Sequence, residues 1–234
     1  MSVRRQLTRS AFIAAAAALI VNRPAIAEVL HMEADVQKSE IRATVAEPLG
    51  LVRDHPMATG TFHLVSGEIE GDPENPTTTG HVKLVIDATS YESGDNHRDR
   101  AVIHSALETG KYQTITFESK TFDDADIEVP GVSGSATVVG NLTLHGTNRI
   151  LRVPAVRISL STDGEFSAGG EFTFKYTDFG VKAPRLLLVI PVSSEVTLSF
   201  RIVAQRPGSE AAQKESKKEP LRKSNQSALR LATR

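Results

Sequence analysis

Seven histidines, some with aspartates nearby, are the residues with which this sequence could bind a metal ion. His97 and His104 are seven residues apart, and Asp95 and Asp99 lie beside the first of them. If this segment is helical, two turns separate the imidazoles by about 10 Å, which is too far for both to bind one ion. The other histidines are spread along the chain. We therefore predict histidines that are solvated or cap turns, and no metal site.

The sequence lacks the short motifs that mark common catalytic sites. It has no Gly-x-Ser-x-Gly elbow and no glycine-rich phosphate loop. Serine, histidine and aspartate are all present, but their order does not single out a triad. It also has no cysteine, which excludes thiol chemistry and cysteine ligation of zinc or iron–sulfur clusters. We predict a protein that is not an enzyme and carries no cofactor.

The first 27 residues have the pattern of a secretory signal peptide. Arginines precede the apolar run Ala11–Val21, which is too short to cross a bilayer as a helix, and Ala25–Ala27 fits a cleavage site. We predict a signal peptide at 1–27 and a periplasmic or secreted protein. Sec export is favoured over the twin-arginine route, because the residues after Arg4 and Arg5 fit the twin-arginine consensus loosely.

The remaining chain divides by charge into a body, residues 28–206, and a tail, residues 207–234. The whole chain carries −1, and removing four signal-peptide arginines and a tail of +4 leaves −9 on the body. An acidic body argues against nucleic-acid binding, which requires a basic face. The tail has no aromatic residue, so we predict that it is disordered. The alternative is a weak contact of its lysines with anionic lipid at a membrane surface.

Apolar and polar residues alternate with a period of two along the body, which is typical of β-strands with one buried face. Turn residues such as Asp163-Gly164 separate the runs. The pattern predicts an all-β, antiparallel barrel of about eight strands, because closure removes exposed edges; a β-sandwich is the alternative. The strands are expected near 29–35 and 38–46 (as one bent strand), 60–71, 78–88, 113–122, 134–146, 149–162, 165–177 and 194–205.

Three segments, taken in order, resemble the YceI-like family of secreted lipid-binding proteins. Val85–Phe122 contains Asp-Ala-Thr-Ser, Ser-Gly, Arg-Asp and then Lys-Tyr-x-x-Ile-Thr-Phe-x-Ser; Gly140–Gly146 reads GNLTLHG, and Lys175–Val181 reads KYTDFGV. The resemblance covers about Val29–Gln205. It implies a lipocalin-like barrel with a lengthwise apolar cavity and a short helix between two strands, at about residues 98–107. It also implies a carrier of hydrophobic ligands.

The charged segment DNHRDR before and within this helix contains candidates for polar roles. Asp95 or Asn96 is placed to cap the helix N-terminus. Alternatively, the helix roofs the cavity mouth, and Arg98 or Arg100 contacts a polar headgroup. His145 falls at a hairpin tip, where we predict a structural hydrogen bond.

Eleven apolar residues on the inward phase of the strands are the predicted ligand-binding residues. The alternation is equally consistent with a filled core, and the family resemblance favours a cavity. We predict an exported carrier of a long-chain amphiphile, with a polyisoprenoid or quinone-like lipid first and a fatty-acid derivative next. The alternatives are a ligand-free structural or stress-response interaction protein and, less favoured, an enzyme acting on a hydrophobic substrate. The sequence leaves the oligomeric state open, a homodimer included. The predicted ligand-binding residues are Phe62, Leu64, Leu84, Ile86, Phe117, Leu142, Leu144, Ile158, Phe172, Phe174 and Phe200.

Overall fold

The computed structural model describes residues 29–46, 57–72, 75–128, 133–182 and 193–208, and they form ten strands with short helical segments between them. The predicted signal peptide at 1–27 and nearly all of the predicted tail lie outside these residues and stay predictions. The strands are β1 (Leu30–Ala34), β2 (Glu40–Ala46), β3 (Met57–Phe62), β4 (Leu64–Gly71), β5 (His81–Asp87), β6 (Thr114–Glu128), β7 (Ser133–Leu144), β8 (Thr147–Leu160), β9 (Phe166–Lys175) and β10 (Glu195–Gln205).

These ten strands act as the eight strands of a closed antiparallel barrel. The hydrogen-bonded order is β1-β4-β5-β6-β7-β8-β9-β10, and β10 returns to pair with β1. β10 also pairs with β2, which pairs with β3. β1 and β2 therefore share the same neighbours and are two halves of one bent strand, as are β3 and β4. The predicted fold class is confirmed.

The bend between β1 and β2 is held by polar side chains of the short connection itself. The Asp35 carboxylate accepts hydrogen bonds from the backbone N–H groups of Gln37 and Lys38, at 3.0 and 3.2 Å. Asp35 donates its own backbone N–H to the carbonyl of Val203 at 2.8 Å, and the Ser39 hydroxyl accepts from the N–H of Val203 at 3.1 Å. These bonds keep the bend against β10, so the barrel stays closed across it.

We call the end of the barrel that carries the helices the helical end, and the opposite end, with the β4–β5 and β8–β9 connections, the hairpin end. Helix α1 (Pro76–Thr79) lies at the hairpin end. Helix α2 (Asn96–Arg100) continues as a π-helix over Ala101–Ala106 at the helical end. Short 3₁₀ turns at Ala88–Ser90 and Tyr176–Phe179 lie there too.

The predicted short helix is present, and it begins two residues earlier than expected. The Asp95 carboxylate accepts from the backbone N–H groups of His97 and Arg98 at 2.8 and 3.2 Å, so it is the N-cap. No helix among the residues described is long and apolar enough to cross a membrane.

Candidate ligand-binding site

The inward faces of the strands form the candidate site, and all eleven predicted residues lie on them. Residues paired across a ladder share one face of the sheet, which places Phe172 with Leu198 and Phe117 with Leu142. Five of the eleven are buried: Phe62, Leu64, Ile86, Leu142 and Leu144. The other six are only partly buried: Leu84, Phe117, Ile158, Phe172, Phe174 and Phe200.

Partial exposure of inward-facing side chains indicates unfilled space inside the barrel. Protein interiors pack as densely as organic crystals, so an inward residue in a filled barrel would lose nearly all contact with solvent. Leu198 on β10 and Ala43 and Val45 on β2 are partly buried in the same way. The structure therefore separates two kinds of inward residue, which the sequence pattern had grouped together. The role of the eleven predicted residues in ligand binding stays a prediction.

Phenylalanines on β9 and β10 form an aromatic wall on one side of this interior. The rings of Phe172 and Phe174 stack with centroids 5.7 Å apart, and Phe200 meets Phe172 edge-on at 6.5 Å. Phe179, which is 1% exposed, packs edge-on against Phe174 at 5.5 Å. Phe179 thus anchors the wall at the helical end. The family-like segment KYTDFGV supplies this anchor, which the set of predicted residues missed.

The helical end is packed from α2 and the 3₁₀ turns. Tyr91, Ala106, Leu107 and Val181 are buried there in the main core cluster. Burial raises the pKa of the Tyr91 hydroxyl. These residues were not among those predicted, because they lie between strands, where alternation gives no signal.

At the hairpin end the barrel contains an apolar pocket that is open to solvent and has a cavity volume of about 90 Å³. Of the eleven predicted residues, only Ile158 lines it. Bulges in β6 explain part of the mismatch between the predicted residues and the pocket lining. Each bulge changes which residues of the strand face inward, and Phe122 and Ile127 therefore face the pocket. The apolar lining residues are Leu30, Met32, Ile69, Val82, Phe122, Ile127, Ile158, Leu160 and Phe166.

The polar residues of the first family-like segment are engaged in local turns. The Asp87 carboxylate accepts from the backbone N–H and the hydroxyl of Thr89, at 2.7 and 2.6 Å. The Ser90 hydroxyl donates to the carbonyl of Asp87 and accepts from the N–H of His63, at 2.7 and 2.8 Å. Asp99 accepts from the N–H and hydroxyl of Ser93. These residues hold α2 against the barrel, and they point to a structural role.

The second family-like segment forms a tight hairpin whose tip is fixed by side-chain contacts. His145 Nε2 lies 2.7 Å from a Glu108 carboxylate oxygen, and its ring packs on Tyr112 at 4.5 Å. Gly146 has a positive φ of 72°, and a Cβ there would lie 2.5 Å from the Tyr112 ring. The predicted structural hydrogen bond of His145 is confirmed, and the Gly146 position requires glycine.

Ionisable groups near the site take part in local hydrogen bonds. No group of three or more histidine, aspartate or glutamate side chains in that part of the chain is placed to hold a metal ion. Asp72, a buried residue of the pocket lining, accepts a hydrogen bond from the Asn75 side chain at 2.9 Å within its turn. The Tyr176 hydroxyl donates to the carbonyl of Ser193 at 2.6 Å, and burial raises its pKa.

Several solved structures resemble this fold, two of them as follows. A polyisoprenoid-binding domain from Saccharophagus degradans, implicated in plant cell wall breakdown, matches with a TM-score of 0.60 at 20% identity, over 75% of this chain and 98% of that one. Burkholderia cenocepacia BcnA matches with a TM-score of 0.55 at 22% identity, over 73% of this chain and 98% of that one. At these identities the likeness shows a shared fold.

Curated relatives and a family model agree with this likeness. A UPF0312 protein of Shewanella oneidensis is 30% identical over 152 residues, which are 63% of this chain and 74% of the relative. A UPF0312 protein of Pseudomonas paraeruginosa is 33% identical over 148 residues, 61% of this chain and 71% of the relative. The model of the YceI-like domain matches residues 32–204, well over half of the chain. The protein therefore belongs to the YceI-like family.

Proposed function

We propose that the protein is an exported carrier that holds the apolar chain of an amphiphilic lipid inside its barrel. The observation that carries this proposal is the partial burial of inward-facing apolar side chains, Phe172, Phe174, Phe200 and Leu198 among them. Such side chains keep exposed apolar surface that a bound ligand would cover. Eight-stranded barrels have interiors of the size that holds one small ligand.

The proposed ligand class is a polyisoprenoid or quinone-like lipid, with a fatty-acid derivative next. The Saccharophagus degradans neighbour is a polyisoprenoid-binding domain, which supports the first choice. Each buried methylene contributes about 0.8 kcal/mol, so ten of them contribute about 8 kcal/mol against the cost of association. Apolar contact is therefore sufficient for binding, and the site needs no cofactor.

We propose a binding role in preference to catalysis. The polar residues of the family-like segments are engaged in turns and caps, as Asp87, Asp99 and His145 show. Three ionisable residues, Glu70, Asp72 and His81, also line the apolar pocket, and each takes part in a side-chain hydrogen bond, with His31, Asn75 and Glu118 respectively. An enzyme acting on a hydrophobic substrate would need an acid, base or nucleophile directed at the substrate rather than engaged in such a contact.

Binding of added lipid to delipidated protein tests this function. Geranylgeraniol and palmitic acid are titrated into the full chain and followed by calorimetry. The proposal expects saturation at one lipid per chain, with the isoprenoid bound more tightly. Refusal of both lipids by a folded protein would leave a packed-barrel interaction protein as the better reading.

Export to the periplasm or beyond is part of the proposal and rests on the signal-like N-terminus. Sequencing the N-terminus of protein recovered from the periplasm or medium of an exporting bacterial host tests it. The expected first residue is Glu28. Recovery of an uncleaved chain from the cytoplasm would contradict export.

A further inference from the structure

The outer face of the barrel over β1, β4, β5 and β6 carries an excess of negative charge. Glu33 on β1, Glu68 on β4 and Lys83 on β5 are consecutive partners in one row across the sheet, and their side chains are exposed. Glu118 on β6 extends the row, and Glu70 follows Glu68 on the same face of β4. We call these five residues the acidic face, and its four glutamates and one lysine give it a net charge of −3.

Two glutamates of the acidic face oppose each other directly. Glu33 and Glu68 are partners in the β1–β4 ladder, so their side chains leave the sheet about 5 Å apart, and like charges in this position destabilise a sheet. Where lysines or arginines face glutamates across the other described ladders, as Glu40 faces Arg201, the charges attract. Neither Glu33 nor Glu68 forms an ion pair or hydrogen bond with a side chain that the structure describes.

The other two glutamates of the acidic face already have partners. Glu70 lies 2.9 Å from Nδ1 of His31, and Glu118 lies 3.3 Å from Nε2 of His81. Lys83 is the cross-strand partner of Glu68 but forms no ion pair within the described part of the chain. The opposed pair of glutamates is therefore the part of the acidic face that a further cation can neutralise.

The C-terminal tail of this chain starts beside the opposed pair. Gln205, the last residue of β10, is the ladder partner of Glu33. The described chain then turns at Pro207 and Gly208, where Gly208 has a positive φ of 85°. Proline followed by a glycine of positive φ is typical of a type II turn, which reverses the direction of a chain. The rest of the tail, 209–234, therefore begins next to the acidic face.

The tail complements the acidic face in charge and in reach. Residues 207–234 contain seven lysines and arginines and three glutamates, a net charge of +4. The adjacent cations Lys217 and Lys218 follow Gly208 by nine and ten residues. A random coil of nine residues spans about 16 Å, and the row from Glu33 to Glu118 covers three strand spacings, about 14 Å. These lysines can therefore reach every carboxylate of the row.

The sheet on the other side of β10 offers the tail less negative charge. Arg157 and Arg201 point outward there, with Glu171 as the carboxylate beside them. Glu165, which lies in the same region, is already bound to Lys38 at 2.9 Å. Charge therefore favours the path over β1 and β4.

We propose that the basic tail docks on the acidic face of its own barrel, with Lys217 and Lys218 beside Glu33 and Glu68. A tethered segment has an effective concentration of millimolar order, so exposed charge pairs too weak to hold a separate peptide are sufficient. Docking relieves the repulsion between the opposed glutamates and occupies the cations of the tail. An anionic membrane surface then has to compete with the acidic face for those cations. The proposal is independent of the ligand in the barrel.

A nitroxide label in the tail tests the docking on the full chain. The chain has no cysteine, so Ser224→Cys provides a single site for the label. The backbone amide NMR signals of Glu33 and Glu68 should lose intensity near the nitroxide, and those of Ser167 and Thr173 on β9 should keep it. At 1 M sodium chloride the Debye length falls to about 3 Å, and the lost intensity should return.

A matched pair of variants tests the acidic face itself. Glu33→Gln with Glu68→Gln keeps the size of both side chains and removes both charges, so the labelled tail should no longer broaden signals on β1 and β4. The control, Glu171→Gln with Glu195→Gln, makes the same charge change on β9 and β10 and should leave the broadening unchanged. The NMR spectrum of each variant shows directly whether the fold is retained.

Binding to vesicles of phosphatidylglycerol and phosphatidylcholine in equal parts tests the competition. The Glu33→Gln, Glu68→Gln variant should bind these vesicles at least about fivefold more tightly than the control variant, the gain expected when one more lysine reaches an anionic surface. The two variants have the same net charge, so a difference between them reports the release of the tail.

Three results would overturn the docking. Equal broadening of signals on β1 and β9 would show that the tail has no preferred face. Broadening that appears only between molecules, when nitroxide-labelled protein is mixed with isotope-labelled protein, would place the tail on a second copy. Equal vesicle binding by the two variants would show that the acidic face does not hold the tail.

Discussion

Leu198→Trp and Leu142→Trp form a matched pair that distinguishes an interior cavity from a filled core. Both leucines point into the barrel, but Leu142 is 4% exposed whereas Leu198 is only partly buried. Leu142 lies opposite Phe117, and Leu198 lies opposite Phe172 and Ala43; all three partners are partly buried, so the contrast rests on the burial of the two leucines themselves. An indole at position 198 can occupy unfilled space, and an indole at position 142 has none.

The expected magnitudes differ accordingly. Overpacking a filled site costs about 1–3 kcal/mol, so Leu142→Trp should lower the free energy of unfolding by that amount. For a domain of this size the Tm should fall by roughly 2–4 °C for each kcal/mol. Leu198→Trp should change the free energy of unfolding by less than about 1 kcal/mol, because the ring enters free space. It should also abolish lipid binding, because it fills the space that the chain would use.

Urea unfolding of delipidated protein measures the first quantity, and titration with geranylgeraniol measures the second. Equal destabilisation by the two tryptophans would show that the surroundings of Leu198 are filled, and would refute the cavity. Unchanged lipid stoichiometry in the Leu198→Trp variant would show that the chain lies elsewhere.

Three further predictions concern the frame of the barrel. Gly140→Ala should lower the free energy of unfolding by about 1–3 kcal/mol in urea melts, because its Cβ would lie 2.5 Å from the Phe117 ring; Gly110→Ala, with nothing within 4 Å, should be neutral. Asp95→Asn should reduce the fall in Tm on acidification. Backbone N–H groups at the start of α2 hold the pKa of Asp95 below its ordinary value, so the ionised carboxylate stabilises the fold fully at any pH above that ordinary pKa. This stabilisation is lost as the pH falls through the lowered pKa. Melting curves of the Asp95→Asn variant with unchanged acid dependence would contradict this. Arg152→Ser should change the free energy of unfolding by less than about 1 kcal/mol, because its ion pairs are exposed, and a larger loss would show that they matter more than their exposure suggests.

Most of the fold could be predicted because its strongest determinant is local. Alternation identifies each strand from its own residues, and the capping carboxylate of Asp95 precedes α2 directly in the chain. The bent strand formed by β1 and β2 was among the expectations for residues 29–46, although the alternation of apolar residues does not itself show that the two halves share one position in the barrel. The tight turn at His145-Gly146 follows from residues that tolerate positive φ.

The candidate site could be predicted only in part, because its features depend on residues distant in sequence. Alternation places Leu142 and Leu198 on the same face but cannot show that only one of them borders free space. Uninterrupted alternation from Phe117 would place Phe122 on the outward face of the barrel, but a bulge in β6 turns it inward.

Native mass spectrometry of the full chain, purified without added lipid from an exporting bacterial host, tests the carrier proposal on the molecule itself. The expected result is one long-chain lipid per protein, lost on organic extraction and absent from the Leu198→Trp variant. A folded protein that carries no lipid, and that takes up neither geranylgeraniol nor palmitic acid when these are supplied, would contradict the carrier function.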